Sequence, residues 1–131
     1  MTETHEPRAF RTAIGFVQVD CADPDRLRAW WGAFLGLRAE TGDTPPAFRC
    51  LEPAPGEVGL CFQRVPEPKI VKNRVHLDIT VNDLEAATAW VEAHGGRRRG
   101  DDADREEHGW RWRRMADPDG NEFCLVPEAS G

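Results

Sequence analysis

The sequence lacks the features of a membrane-spanning, secreted or nucleic-acid-binding protein. No apolar run approaches the ~20 residues of a bilayer-spanning helix, and the first residues lack the basic and apolar stretches of a secretory signal. A net charge of −6 opposes binding to a phosphate backbone. The four cysteines are too few and too scattered for a secreted disulfide scaffold, so we expect reduced thiols in a cytoplasmic protein.

An internal repeat organises the chain. Hydrophobic residues make up 40% and charged residues 31% of the 131 positions, a balance typical of one globular domain. At a shift of about 60 positions, Asp23 and Trp30 fall on Asp83 and Trp90, and the apolar residues before them also match. We therefore interpret the chain as two related modules.

Each module is predicted to begin with a strand that leads into a helix. Residues 74–81 alternate apolar and polar side chains with the period of two that is typical of a half-buried strand. Asp83 has the position of an N-cap for the next helix, and the Gly95–Gly96 pair is a predicted stop. The first module repeats this pattern, with Asp23 as the cap and Gly36 as the stop.

A predicted hairpin completes each module. Residues 48–51 and 59–63 flank a turn rich in proline and glycine, and residues 110–115 and 121–126 flank the turn at 117–120. The charged segment before the second hairpin is predicted to be an exposed edge.

Four motifs resemble one known family. They are the segments 21–25, 62–67, 72–78 and 115–126, which read CADPD, FQRVPE, KNRVHLD and MADPDGNEFCLV. They resemble the glyoxalase-like domain group of the vicinal-oxygen-chelate superfamily, which also contains glyoxalase I and bleomycin-resistance proteins. The resemblance implies an α+β fold in which two βαβββ modules form a curled mixed sheet, an incomplete barrel, around a central cleft. The helices are expected on the convex side.

The resemblance covers a single domain of residues 11–128, with modules at 11–65 and 74–128 and a connector at 66–73. Because Leu77 and Ile79 should face the helix, their polar neighbours should face the cleft. The same argument extends to the other strands. The predicted cleft residues are Phe16, Gln18, Asp20, Cys61, Gln63, Arg74, His76, Asp78, Thr80, Glu122 and Cys124.

Metal-dependent relatives place four ligands in this cleft. The resemblance maps these ligands onto Phe16, Cys61, His76 and Cys124, and among them only His76 is of the expected type. A phenyl ring cannot bind a metal, and thiolates do not suit hard cations, so we expect no metal. Two alternatives stay open. Zinc could bind through Cys61, His76 and Cys124, or Asp78 or Glu122 could supply oxygen ligands.

Two functions follow from this site. The first is a metal-free protein that binds or sequesters a small organic compound. The second is a lyase or isomerase, metal-independent or zinc-dependent, that acts on a carbonyl compound with His76 as base and Arg74 as an electrostatic clamp. A purely structural role, in which His76 joins a polar network with Arg74 and Asp78, is the third interpretation. We expect no nucleic-acid or membrane partner, and the resemblance implies a homodimer.

Overall fold

Strands and helices follow one another in the order that the repeat predicts. The computed structural model describes residues 4–6 and 8–128. The elements are β1 (Phe16–Cys21), α1 (Pro24–Leu35), β2 (Phe48–Cys50), β3 (Gly59–Arg64), β4 (Leu77–Val81), α2 (Leu84–Ala93), β5 (Arg97–Arg98), β6 (Asp104–Glu107), β7 (Trp110–Ala116) and β8 (Glu122–Pro127). Neither helix in this described part is long and apolar enough to cross a membrane.

Both helices begin and end where their capping residues predict. The Asp23 carboxylate accepts a hydrogen bond from the backbone N–H of Arg26, and α1 ends at Gly36 with a left-handed φ of 70°. The Asp83 carboxylate caps α2 in the same way, and Gly95 follows the helix end with a φ of 93°. The caps satisfy backbone groups that helix ends leave unpaired, which explains why the helix predictions were accurate.

The strands form two mixed sheets that do not close into a barrel. The first sheet has the order β1-β3-β2, and the second has the order β4-β8-β7-β5 with β6 also paired to β7. In each module the first strand runs parallel to the last, so β1 pairs with β3 and β4 pairs with β8. This arrangement confirms the predicted α+β fold of two strand–helix–strand modules.

The modules differ from an ideal βαβββ pattern in their strand number. Between α1 and β2 only a single bridge forms, from Ala39 to Leu51. In the second module the charged segment contributes two short strands, β5 and β6, and its residues in those strands are exposed as predicted.

An aromatic cluster joins the modules into one core. Trp31 of α1 packs against Phe123 of β8 with ring centroids 4.9 Å apart, and Phe34 stacks on Trp90 of α2 at 5.3 Å. Trp30 is buried in the same cluster, and Trp90 is partly buried against it. Because α1 of the first module packs on β8 of the second, the two sheets have a fixed relative position.

Candidate functional site

A pocket of about 400 Å³ lies between the two modules. Residues 17–21 of β1 line it, together with the connector, the residues that lead into β4, and the turn between β7 and β8. Trp31 and Phe123 of the aromatic cluster also reach it. The volume lies within the range of about 300–1,000 Å³ that small-molecule sites occupy.

The structure brings some of the predicted cleft residues to this pocket. Those that line it are Gln18, Asp20, Arg74, His76 and Glu122. Those outside its lining are Phe16, Cys61, Gln63, Asp78, Thr80 and Cys124. Whether any of these residues binds a ligand stays a prediction.

Phe16 is one of the predicted cleft residues that lie outside the pocket lining. Its ring covers Gly59 of the neighbouring strand, where an added Cβ would come within 2.6 Å of the ring, and the residue is 60% exposed. A glycine at that register position leaves room for the ring to lie flat along the sheet. Phe16 therefore packs on its own sheet and offers no group that could bind a metal.

The expectation of four reduced thiols was wrong for two of the cysteines. Cys50 and Cys61 are directly opposite in the antiparallel β2–β3 pair, with their Cα atoms 4.0 Å apart, and they form a disulfide. The proposed zinc set of Cys61, His76 and Cys124 therefore loses a ligand, since a disulfide sulfur is not a thiolate. The register of β2 and β3 produces this pair, and separation along the chain could not reveal it. Cys21 and Cys124 are free and buried.

Glu122 holds the connector against the second module. Its carboxylate is 5% exposed and accepts hydrogen bonds from the Lys69 ammonium at 2.9 Å and the Asn73 backbone N–H at 3.0 Å. Arg99 lies 3.7 Å away. Burial acts to raise the pKa of Glu122, but the Asn73 and Lys69 hydrogen bonds outweigh it and hold the pKa below the ordinary value. Glu122 is thus an ionised anchor whose oxygens are already occupied.

His76, Asp78 and Cys124 form a separate cluster at the edge of the pocket. His76 Nε2 lies 3.3 Å from Asp78 Oδ1, and one donor atom of each of the three residues lies within 4.8 Å of the other two. Burial, followed by the nearby Asp78 carboxylate, raises the pKa of the Cys124 thiol above its ordinary value. The thiol is therefore neutral at physiological pH and is not an activated nucleophile on its own.

The opposite end of the pocket is acidic. Burial, and then the charges of Asp119 and neighbouring aspartates, raises the pKa of the Cys21 thiol to about 11. Asp119 also accepts a hydrogen bond from the Ala22 backbone N–H at 3.2 Å, which ties the β7–β8 turn to the end of β1.

Two positively charged side chains, those of Lys72 and Arg74, also line the pocket. Neither has an ion-pair partner within residues 4–6 and 8–128.

Sequence reasoning missed the part that the connector plays. Its residues from Glu67 to Asn73 form much of the lining, and Ile70 and Val71 are 81% and 73% exposed. The connector has no periodic pattern that could reveal which side chains face the pocket. The sequence signal for this role was the position of two apolar residues, Ile70 and Val71, in a connector that otherwise consists of prolines and polar residues.

The model of the glyoxalase-like domain family matches residues 16–126, which is most of the chain. The chain belongs to the glyoxalase-like domain family. No curated protein matches it. The four positions that bind metal in metal-dependent relatives do not fit a hard cation in this glyoxalase-like domain, because Phe16 has no donor atom and Cys61 is in a disulfide.

Several solved structures share this fold, among them two of the glyoxalase/bleomycin resistance protein/dioxygenase type. An enzyme of that family from Burkholderia phytofirmans has a TM-score of 0.71 at 19% identity, over 88% of this chain and 98% of that chain. A superfamily member from Sphaerobacter thermophilus has a TM-score of 0.67 at 16% identity, over 90% and 98%. TioX from a Micromonospora species has a TM-score of 0.58 at 17% identity, over 90% and 100%. Identities this low establish a common fold and not a common activity.

Proposed function

We propose that this glyoxalase-like domain binds a small organic molecule in the pocket between its modules. The observation that carries the proposal is the pocket itself, which combines a volume of about 400 Å³ with apolar walls and a few polar groups. Sites for small ligands have this composition, since apolar walls supply affinity and polar groups fix the orientation.

The exposed apolar residues support the same conclusion. Ile70, Val71 and Val75 are 73–81% exposed and lie in or just after the connector, where all three line the pocket. Apolar side chains that cluster on one exposed segment often mark a binding site, whereas single scattered ones do not. A ligand in the pocket would cover them and remove apolar area from water.

The polar groups indicate which ligand would fit. Gln18 and His76 supply hydrogen-bonding groups, and the Lys72 and Arg74 side chains provide two positive charges. We therefore propose an aromatic or aliphatic compound that carries a carbonyl or anionic group. The apolar part would lie against Val17 and Val19, and the polar part would lie near His76.

A pair of fluorescent probes tests this proposal. 8-Anilinonaphthalene-1-sulfonate and N-phenyl-1-naphthylamine share the same aromatic rings and differ only in the sulfonate. We expect saturable binding of both, with the sulfonate form binding more tightly because of Lys72 and Arg74. Absence of saturable binding by either probe would contradict a ligand pocket, and equal affinities would contradict the role of the two cations.

Variants locate the probe. Substitution of Gln18 by Trp should fill part of the pocket and abolish binding, since an exposed strand position tolerates an aromatic residue. His76→Ala should weaken binding by about three- to tenfold, equivalent to about 0.6–1.4 kcal/mol, while the melting temperature stays within a few degrees. The matched control is His5→Ala, because His5 is exposed and outside the pocket lining. Equal effects of the two histidine variants would place the probe elsewhere.

A lyase or isomerase reaction on a carbonyl compound is the second candidate. The 3.3 Å separation of His76 Nε2 and Asp78 Oδ1 favours it, because a carboxylate that holds an imidazole is the usual arrangement around a general base. Exchange of the carbon-bound protons of dihydroxyacetone in D2O, followed by NMR, tests this chemistry. Catalysed exchange that His76→Ala abolishes would favour an enzyme over a binding protein.

A further inference from the structure

Two adjacent strands bring three different metal-binding side chains together beside the pocket. Asp78 of β4 and Cys124 of β8 are direct partners in the parallel register, and His76 precedes Asp78 by two residues. The pairing places Asp78 and Cys124 on one face of the second sheet, and His76, which lies just before β4, has a ligand atom within 4.8 Å of both. We infer that His76, Asp78 and Cys124 form a binding site for a zinc-type divalent ion, independently of the ligand function proposed above.

The distances suit a tetrahedral ion. His76 Nε2 and Asp78 Oδ1 are 3.3 Å apart, and two nitrogen or oxygen ligands about 2.0–2.1 Å from a tetrahedral zinc ion are separated by about 3.3 Å. A thiolate on the same ion would lie about 3.5 Å from each of them. Cys124 Sγ already lies within 4.8 Å of one ligand atom of His76 and one of Asp78, so the three side chains lie close enough together to share one ion.

The donor set selects the kind of metal. One imidazole nitrogen, one carboxylate oxygen and one thiolate sulfur suit borderline-soft ions such as zinc, whereas magnesium and calcium require oxygen ligands. Binding would release the Cys124 thiol proton to solvent, because the thiolate is the form that binds metal. Three protein ligands leave a fourth position open, as in zinc sites that bind a substrate or water.

This site differs from the four-position set of metal-dependent relatives. All of its ligands come from one module, it includes Asp78, and it requires neither Phe16 nor Cys61. Cys124 is 6% exposed, whereas the His76 and Asp78 side chains are 43% and 62% exposed, so the open position faces solvent.

Nearby positive charges favour an anion as the fourth ligand. Lys72 and Arg114 act electrostatically on the Cys124 thiol, so both cations lie near the site. They weaken the binding of a bare divalent ion, but they favour an anion at its open position. A small carboxylate that completes the coordination should therefore increase metal affinity.

Cobalt(II) is the probe that tests this site, because it replaces zinc and reports its ligands by absorption. Protein freed of metal by chelation and dialysis, with its disulfide intact, should bind one equivalent of cobalt(II). The complex should show a near-ultraviolet thiolate-to-cobalt charge-transfer band and strong visible bands of tetrahedral coordination. Zinc should remove these bands by competition. A titration without a charge-transfer band would overturn the inference.

Variants assign the ligands. Cys124→Ser should abolish the charge-transfer band, and Asp78→Asn should weaken cobalt binding at least tenfold. Cys21→Ser is the matched control, because Cys21 is the other free buried cysteine and lies outside the cluster, so it should keep the spectrum. A band that survives in Cys124→Ser or disappears in Cys21→Ser would overturn the assignment. Should Cys124→Ser fail to fold, the exposed Asp78→Asn still decides.

The outcome separates this inference from the proposed function. Cys124 lies outside the pocket lining, so Cys124→Ser should weaken metal binding and leave the naphthyl probes unaffected. Gln18→Trp should abolish binding of the naphthyl probes and leave metal binding unchanged. A bound metal would also occupy the His76 nitrogen that the general-base reaction needs, so metal binding would argue against the metal-independent enzyme.

Discussion

Substitution of Glu122 by Gln is the sharpest test of how the connector is held over the pocket. Glutamine keeps the shape of the side chain but removes the charge that the Lys69 ammonium and the Asn73 N–H bind. Hydrogen bonds to a charged group contribute about 1.5–3 kcal/mol each, and glutamine retains one acceptor oxygen, so we expect a loss of about 2 kcal/mol. The contribution of Arg99 is small, because it lies 3.7 Å away and is 39% exposed.

The pH dependence of this loss provides a second check. The folded-state pKa of Glu122 lies below its ordinary value of 4.5, so ionisation stabilises the folded state above that value. The stability is lost as the pH falls through the folded-state pKa. Urea unfolding of wild type and Glu122→Gln should therefore show the full difference at pH 7. The difference should shrink progressively below about pH 4.5.

Glu92→Gln is the matched control for this measurement. Glu92 pairs with Arg98 at 3.6 Å, but both side chains are more than two-fifths exposed, so its loss should cost less than about 0.5 kcal/mol. Equal stabilities of Glu122→Gln and wild type at pH 7, or a difference that does not change with pH, would refute the anchoring role of Glu122.

Two further substitutions test the shared core. Trp31→Phe removes the indole N–H that donates to buried Asp117 at 3.0 Å, so thermal and urea unfolding should show a loss of about 2 kcal/mol. Trp110→Phe, at a residue that is 71% exposed, should change stability by less than about 0.5 kcal/mol. Gly96→Ala should cost at least about 2 kcal/mol, because its Cβ would lie 2.5 Å from Val91 and 2.8 Å from the Ala116 carbonyl oxygen. Gly15→Ala, whose Cβ would meet nothing within 4 Å, should be nearly neutral, and equal effects of the two glycine variants would contradict the close approach of Gly96 to Val91 and Ala116.

Local signals explain why the helices and hairpins could be predicted from the sequence. Asp23 and Asp83 act within three residues of their own positions, and the turn at 117–120 carries its own proline and glycine. The internal repeat then predicted the same order of strand and helix at the start of each module. These features depend on neighbours along the chain, so the sequence alone contains them.

The rest of the site depends on contacts between distant segments. Cys50 and Cys61 become partners only through the register of β2 and β3, and Glu122 reaches Lys69 across 53 positions. Strand alternation predicted one face for Asp78 and Cys124, which are register partners, but it could not show that the connector lines the gap between the modules. Irregular segments such as the connector have no repeating pattern of apolar residues. Their position depends on contacts with distant residues, such as the hydrogen bonds from Lys69 and Asn73 to Glu122.

A crystal structure of the protein with 8-anilinonaphthalene-1-sulfonate tests the central claim most directly. We expect the naphthyl rings between β1 and the connector, with the sulfonate within hydrogen-bonding distance of Arg74, Lys72 or His76. Probe density found only at other surfaces, with the space between the modules filled by protein side chains, would contradict the assignment of that space as the ligand site.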